Sequence, residues 1–143
     1  MARVEQALAL FEAGANCAQA VLYVFAPAYG LEPGLAMRIA APFGGGMART
    51  GEVCGALSGG LMVIGLHCGP DRPAEEGRDR CYELTRTFLR RFQESYGSLL
   101  CRELLGCEIL TAEGQKYAHE SGRIRERCPR FVRRAVELLE DIL

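Results

Sequence analysis

Seven cysteines are distributed along the 143 residues of this chain, and four of them stand where the local sequence predicts the start of an α-helix. They are Cys17, Cys54, Cys101 and Cys128, and Cys17 directly follows the N-cap residue Asn16. A thiol at a helix N-terminus lies near the positive end of the helix dipole and near unpaired backbone N–H groups, which favours its thiolate form. Thiolates bind metals and react with disulfides, so the sequence predicts one metal or redox site formed by these four cysteines.

Apolar residues recur at helical spacing along most of the chain, and no segment shows the alternation that is typical of a strand. In the first segment, Val4, Ala7, Leu8 and Phe11 share one face. The pattern predicts an all-α, single-domain bundle of about six helices that spans residues 1–143. The polar stretch 111–127 is interpreted as a connection to the last helix. The predicted helical segments are 3–12, 17–25, 33–40, 54–68, 73–96, a short helix around Cys101 that Ser98 caps and Gly106 ends, and 128–143.

Composition narrows the range of partners. The formal net charge of −1 gives no electrostatic footprint for nucleic acid. The longest apolar run, residues 53–66, has 14 residues, whereas a membrane span needs about 20. No signal peptide is recognisable, so we expect a cytoplasmic location and no membrane span. In that reducing compartment, an odd number of cysteines favours metal binding or redox chemistry over structural disulfides.

The other three cysteines lack the setting of a helix start. Cys81 shares a helix face with Leu84 and is predicted to be a core residue. Cys68 ends a helix, where the dipole disfavours a thiolate, and a ligand pair with His67 is the less favoured interpretation. Cys107 is interpreted as a partly buried residue rather than as a resolving thiol.

Spacing alone is weak evidence for a metal site. Zinc and ferredoxin sequences pair cysteines about two to four residues apart. The four helix-start cysteines are instead separated by 37, 47 and 27 residues. The prediction of one shared site therefore requires the fold to bring them together.

Small residues follow Cys54 in the segment Cys54-Gly55-Ala56-Leu57-Ser58-Gly59-Gly60 and leave one side of the predicted helix nearly bare. Glycine inside a helix costs about 1 kcal/mol relative to alanine, so three such positions suggest a compensating purpose. The alternatives are close helix packing, within the chain or at the seam of a homodimer, and access of a cofactor to Cys54. The preceding glycine-rich loop could also present backbone N–H groups to a thiolate or sulfide. The predicted cofactor contacts are Gly51, Gly55, Ala56 and Gly59.

Two charged residues, Arg49 and Glu52, precede the segment that begins at Cys54, and neither is predicted to belong to the site. Arg49 and Glu52 are interpreted as a surface charge pair, in preference to a guanidinium that lowers the pKa of Cys54. A nucleophilic Cys–His enzyme would need a histidine beside a reactive cysteine, and the chain has only His67 and His119. His119 lies in the polar stretch and is interpreted as a solvated surface residue.

The chain resembles the C-GCAxxG-C-C family of redox-active proteins over essentially its whole length. The resemblance is carried by Cys17 in the segment 16–21, by the motif Cys54-Gly55-Ala56-Leu57-Ser58-Gly59, by Cys101 in the segment 101–106 and by Cys128. It implies redox activity and assigns the site to these four cysteines, which are those selected by their predicted helix starts. The chain has no Cys-x-x-Cys-His, so covalent haem is not expected.

Three functions are compatible with these observations. The favoured one is an electron-transfer protein whose four cysteines ligate an iron–sulfur centre, because all-thiolate ligation suits iron–sulfur or zinc. The second is a metal-free thiol–disulfide protein that uses pairs of the same cysteines. The third is a non-catalytic binding module with a closed four-cysteine zinc site. On either redox hypothesis the protein works with a redox partner that the sequence does not identify.

Overall fold

The computed structural model describes residues 2–143, and these residues form α-helices joined by short turns. The predicted all-α class is confirmed, but there are eight helices rather than about six. In the part of the chain described, extended backbone pairs only at one isolated antiparallel bridge, between Val53 and Leu100. The helices are α1 (Arg3–Glu12), α2 (Cys17–Phe25), α3 (Pro33–Ala40), α4 (Gly55–Cys68), α5 (Glu75–Tyr96), α6 (Cys101–Leu105), α7 (Ala112–Glu120) and α8 (Arg123–Ile142).

The polar stretch 111–127, predicted as a connection, is mostly helical. Thr111 caps α7 by accepting a hydrogen bond from the Gly114 N–H at 3.0 Å. Gly122, with a φ of 79°, separates α7 from α8, which begins at Arg123. The prediction that the last helix begins at Cys128 is therefore wrong, and Cys128 lies in the second turn of α8.

Tertiary contacts explain why α8 begins earlier than its sequence suggests. Guanidinium groups of Arg123 and Arg127 both donate to the carbonyl oxygen of Leu105, at 2.8 and 2.7 Å. Leu105 is the last residue of α6, where carbonyl groups lack partners within the helix. The charged first turns of α8 thus cap the C-terminus of a helix that is distant in sequence.

The core is organised around α2, which packs against α1, α3, α4 and α8. The glycine-rich face of α4 lies directly on the backbone of α2. A Cβ added to Gly59 would be 2.6 Å from the carbonyl oxygen of Ala18. The small residues of the motif therefore serve close packing within the chain, and a homodimer stays a prediction.

Helix α5 covers the other side of α4 and joins it to α8. The Phe88 ring lies against Gly60, where an added Cβ would be 2.5 Å from the ring. Further along α5, Phe92 and Tyr96 form an aromatic cluster with Phe131 of α8, with ring centroids 5.1 to 6.1 Å apart. Each such pair stabilises the packing by about 0.5–1.5 kcal/mol beyond its buried area.

The distribution of apolar residues differs among the longer helices. Helices α5 and α8 have 22 and 20 residues and carry charged side chains along their exposed faces. The most apolar helix, α4, has 14 residues. Among residues 2–143, no helix combines the length and the apolar character that crossing a membrane requires.

The chain between α3 and α4 makes a turn with a left-handed backbone. Residues 45–49 have φ values between 53° and 67°, and three of them, Met47, Ala48 and Arg49, are not glycine. This conformation costs a residue with a Cβ about 1–2 kcal/mol. Backbone hydrogen bonds help to hold the turn, among them one of 2.8 Å from the Ala48 N–H to the Pro42 carbonyl oxygen.

We expect the substitution Ala48→Gly to raise the free energy of unfolding by about 0.5–1 kcal/mol. The relief of about 1–2 kcal/mol of left-handed strain exceeds the added entropy of the unfolded chain, about 0.4–1 kcal/mol. Ala48 is exposed, so no packing is lost. Urea unfolding measures the change. The control is Ala9→Gly at an exposed position of α1, which should destabilise by about 1 kcal/mol; a loss of stability in both variants would contradict the strain.

Candidate functional site

The four predicted cysteines line one cavity of about 340 Å³. Each is nearly buried, with exposed fractions of 8% for Cys17, 3% for Cys54, 8% for Cys101 and 9% for Cys128. Cys17 and Cys101 are the first residues of α2 and α6, and Cys54 is the N-cap residue of α4. These three cysteines lie at helix starts, as predicted, but the N-cap residue of α6 is Leu100, so the prediction that Ser98 caps this helix is wrong.

Two backbone hydrogen bonds hold Cys54 beside Cys101. The Cys54 N–H donates to the Leu99 carbonyl oxygen at 2.9 Å, and the Cys101 N–H donates to the Glu52 carbonyl oxygen at 2.7 Å. These bonds flank the isolated antiparallel bridge between the two segments. The start of α4 and the start of α6 are thereby fixed relative to each other, and their cysteines form one side of the cavity.

A capping box fixes the start of α2. The Asn16 side chain accepts from the Gln19 N–H at 2.9 Å, and the Gln19 side chain accepts from the Asn16 N–H at 3.0 Å. Both side chains also donate to carbonyl groups of neighbouring segments, at Ala41 and Met37. The capping box therefore orients Cys17 as well as starting its helix.

Cys128 reaches the same cavity from the second turn of α8. Its side chain forms a hydrogen bond with the side chain of Cys17, although the two residues are 111 positions apart in the sequence. Cys17 and Cys128 are thus neighbouring thiols, and both line the cavity with Cys54 and Cys101.

Burial, more than helix position, sets the protonation of these thiols. It raises the pKa of Cys54 to about 12, although two backbone N–H groups in the first turn of α4 oppose the rise. It also raises the pKa of Cys101 to about 12. The hydrogen bond with Cys128 and burial raise the pKa of Cys17, whereas the same bond lowers the pKa of Cys128. The expectation that helix starts favour the thiolate is therefore wrong for Cys17, Cys54 and Cys101.

The thiols surround a space rather than a point. Over residues 2–143, no three Cys, His, Asp or Glu side chains are close enough together to hold a single metal ion. The four thiols therefore line one cavity without converging on a single point.

Comparison with protein families bears directly on these cysteines. The family model described as "Putative redox-active protein (C_GCAxxG_C_C)" matches residues 15–142. The chain belongs to this family. The four cysteines that line the cavity all lie within the matched residues, and they are the four to which the resemblance in sequence assigned the site. Searches of curated proteins and of solved structures find no match.

Of the four small residues predicted to contact a cofactor, Gly55 lines the cavity. Gly59 instead packs on α2, and Gly51 lies against the side chain of Arg102. Ala56 is completely buried in the core. The glycine-rich loop contributes Gly45 to the cavity wall, a residue that the sequence analysis did not select. For Gly55 a cofactor contact stays a prediction.

The predicted role of the glycine-rich loop as a donor of N–H groups is restricted by its own hydrogen bonds. The five N–H groups from residue 48 to residue 52 all donate to backbone carbonyl oxygens of the same loop. They are therefore satisfied without an anionic ligand. The loop acts instead as a wall, because an added Cβ at Gly46 would be 2.8 Å from the Cβ of Cys101.

Four polar side chains at the cavity were not predicted as site residues: Asn16, Arg49, Gln115 and His119. His119 is exposed, as predicted, but it also lines the cavity. Arg49 is also exposed and also lines the cavity. The predicted charge pair of Arg49 with Glu52 is wrong, because Glu52 forms its ion pair with Arg102 at 3.2 Å. The spacing of residues 115 and 119, one helical turn apart, would have been a signal if α7 had been recognised as a helix.

The remaining cysteines, Cys68, Cys81 and Cys107, are free and half-buried, and they are not among the residues that line this cavity. Cys107 has the partly buried position that was predicted. The prediction that Cys81 is a core residue is only partly met, because it packs against the core and keeps an exposed surface. Cys68 ends α4 as predicted, while His67 bonds to the Tyr29 hydroxyl through Nδ1 at 2.9 Å.

Proposed function

We propose that the protein transfers electrons through an iron–sulfur centre held by Cys17, Cys54, Cys101 and Cys128. The observation that supports the proposal is the meeting of four buried thiols at one cavity. None of the described residues that line it is a carboxylate. Sulfur donors alone favour soft metal centres, and iron–sulfur clusters are typically held by four cysteine thiolates.

The dimensions of the cavity fit such a group. The four thiols line one cavity, and among residues 2–143 no three Cys, His, Asp or Glu side chains are close enough together to hold a single ion. A cluster places several iron and sulfide atoms between its ligands, so it suits thiols that surround a space of about 340 Å³. When bound, it would supply a reversible one-electron couple.

The other lining residues support this chemistry. Apolar side chains such as Leu105, Ile109 and Phe131 limit access of water. Arg49 adds a positive charge at the same wall, which offsets the negative charge of a thiolate-bound centre. The raised pKa values of Cys17, Cys54 and Cys101 mean that a metal must displace protons from these thiols in order to bind.

Metal and sulfide analysis of protein purified without oxygen tests the proposal. We expect iron and acid-labile sulfide in stoichiometric amounts and a coloured protein. The absorption should bleach on reduction and return on oxidation. Colourless protein with zinc alone, or metal-free protein after reconstitution with iron and sulfide, would contradict it.

A second candidate function rests on the contact between Cys17 and Cys128. Two thiols in a hydrogen bond are close to the arrangement needed for a disulfide, and the lowered pKa of Cys128 favours it as the attacking thiolate. In this case the pair gives two electrons and two protons to a disulfide substrate. The expected result is then a metal-free protein that loses two free thiols on oxidation and regains them on reduction.

A further inference from the structure

Cys68 and Cys81 form a pair of thiols outside the cavity, where α4 ends and α5 begins. Cys68 is the last residue of α4, and Cys81 lies in the second turn of α5. The connection between the two helices is short, from Gly69 to Ala74. Neither cysteine belongs to the family pattern, and the electron-transfer proposal does not use them.

The packing of the two helices places these cysteines opposite each other. Helices α4 and α5 pack together and are joined by only six residues, so they run antiparallel. Phe88 of α5 lies against Gly60 of α4. Cys68 lies eight residues after Gly60 in α4, and Cys81 lies seven residues before Phe88 in α5. In an antiparallel pair these steps cover nearly the same distance, so both cysteines lie at the same level of the interface.

The side chains lie near each other. Cys81 is close enough to Cys68 to raise the pKa of its thiol. Cys68 also donates to the carbonyl oxygen of Ile64 at 3.3 Å, which holds its side chain along the end of α4. Both residues pack against the core on one side and are partly exposed on the other. A small reagent can therefore reach them from solvent.

We propose that Cys68 and Cys81 form a second, independent dithiol site, which small-molecule disulfides oxidise to a disulfide between α4 and α5. One protein thiolate attacks the reagent, forms a mixed disulfide and releases one reagent thiol. The second protein thiolate then attacks the mixed disulfide and releases the other. In total the protein gives up two electrons and two protons, and the reagent disulfide becomes two thiols.

The surroundings indicate the order of attack. Burial raises the pKa of Cys68 to about 11, and the neighbouring Cys81 adds to the rise. Cys68 is therefore mostly protonated at neutral pH and is a slow first nucleophile. The order assigned is attack by Cys81 on the reagent, followed by resolution by Cys68.

Oxidation in a glutathione buffer, followed by alkylation of free thiols and peptide mapping, tests the proposal. Trypsin cleaves after Arg80 and Arg86, which releases Cys81 in the peptide CYELTR. Cys68 leaves in the peptide 50–78, because the bond between Arg72 and Pro73 resists cleavage. We expect these two peptides to be joined after oxidation and separate after reduction.

Variants identify the bond, because the peptide 50–78 also contains Cys54. The joined peptide should vanish in Cys68→Ser and persist in Cys54→Ser and in Cys107→Ser. Persistence in Cys68→Ser, or no joined peptide at the highest ratio of oxidised to reduced glutathione, would overturn the proposal. Iron and sulfide content should be the same in Cys68→Ser and in the unchanged protein. The dithiol proposal and the iron–sulfur proposal can therefore be contradicted independently of each other.

Thermal unfolding gives an independent readout. The disulfide closes a loop of about 14 residues, which removes conformational freedom from the unfolded chain. We expect oxidation to raise the melting temperature by several degrees, and this rise to be absent in Cys81→Ser. An equal rise in Cys81→Ser would show that a different pair of cysteines is responsible.

Discussion

Replacing Cys54 with serine should reduce the bound iron and sulfide by about tenfold or more, since even the loss of a group that supports a ligand costs 10- to 100-fold in metal affinity. Cys54 is 3% exposed and is held in place by the hydrogen bond from its N–H to Leu99. No free cysteine in the cavity is left over to take its place. Iron and sulfide analysis, with the visible spectrum, measures the loss in protein prepared without oxygen.

The matched control is Cys107→Ser. Cys107 is half-buried and close enough to Cys101 to contribute to its raised pKa, but it is not among the residues that line the cavity. We expect this variant to retain full iron and sulfide. Full retention in Cys54→Ser would remove Cys54 from the site, and an equal loss in both variants would show that the metal content follows stability rather than ligation. Urea unfolding of the metal-free proteins separates these outcomes.

Substituting alanine for Gly59 should lower the free energy of unfolding by about 3 kcal/mol, at the upper end of the cost of overpacking. The added Cβ would meet the Ala18 carbonyl oxygen at 2.6 Å and the Ala18 Cα at 3.0 Å. These are backbone atoms, so no side chain can rotate away. Helix α2 must move, and because Cys17 is the residue before Ala18, the cavity changes with it. Urea unfolding gives the loss of stability.

Gly65 provides the control on the same helix. An added Cβ there has no neighbour within 4 Å, so Gly65→Ala gains helix propensity at no steric cost. We expect it to stabilise the protein by about 0.5–1 kcal/mol. Opposite signs at the two positions would establish that close packing, and not the glycine content of the helix, governs residue 59. Destabilisation of similar size at both would contradict this explanation.

Local sequence signals located three of the four site cysteines correctly. Asn16 and Gln19 form a capping box, so short-range hydrogen bonds determine that α2 begins at Cys17. The signals that place Cys54 and Cys101 at helix starts are also local, because they lie within one or two helical turns of each cysteine. The all-α class could be predicted for the same reason, because helical periodicity is a local property of the chain.

Features that depend on distant contacts could not be predicted. The first turns of α8 are too polar to be recognised as a helix, and the carbonyl groups at the end of α6 that Arg123 and Arg127 cap are known only from the fold. The same limit applies to the thiols. Helix starts indicated low pKa values, whereas burial by residues from several helices raises the pKa of Cys54 and Cys101.

The contact between Cys17 and Cys128 has a consequence for the order of events during synthesis. The two residues are 111 positions apart, so α2 leaves the ribosome well before its partner in α8 exists. At about 5–20 residues per second, this interval lasts roughly 6 to 20 seconds. During that time Cys17 cannot yet be covered by α8, and the cavity has one wall missing. Its cysteines are therefore open to oxidants until the last helix closes over them.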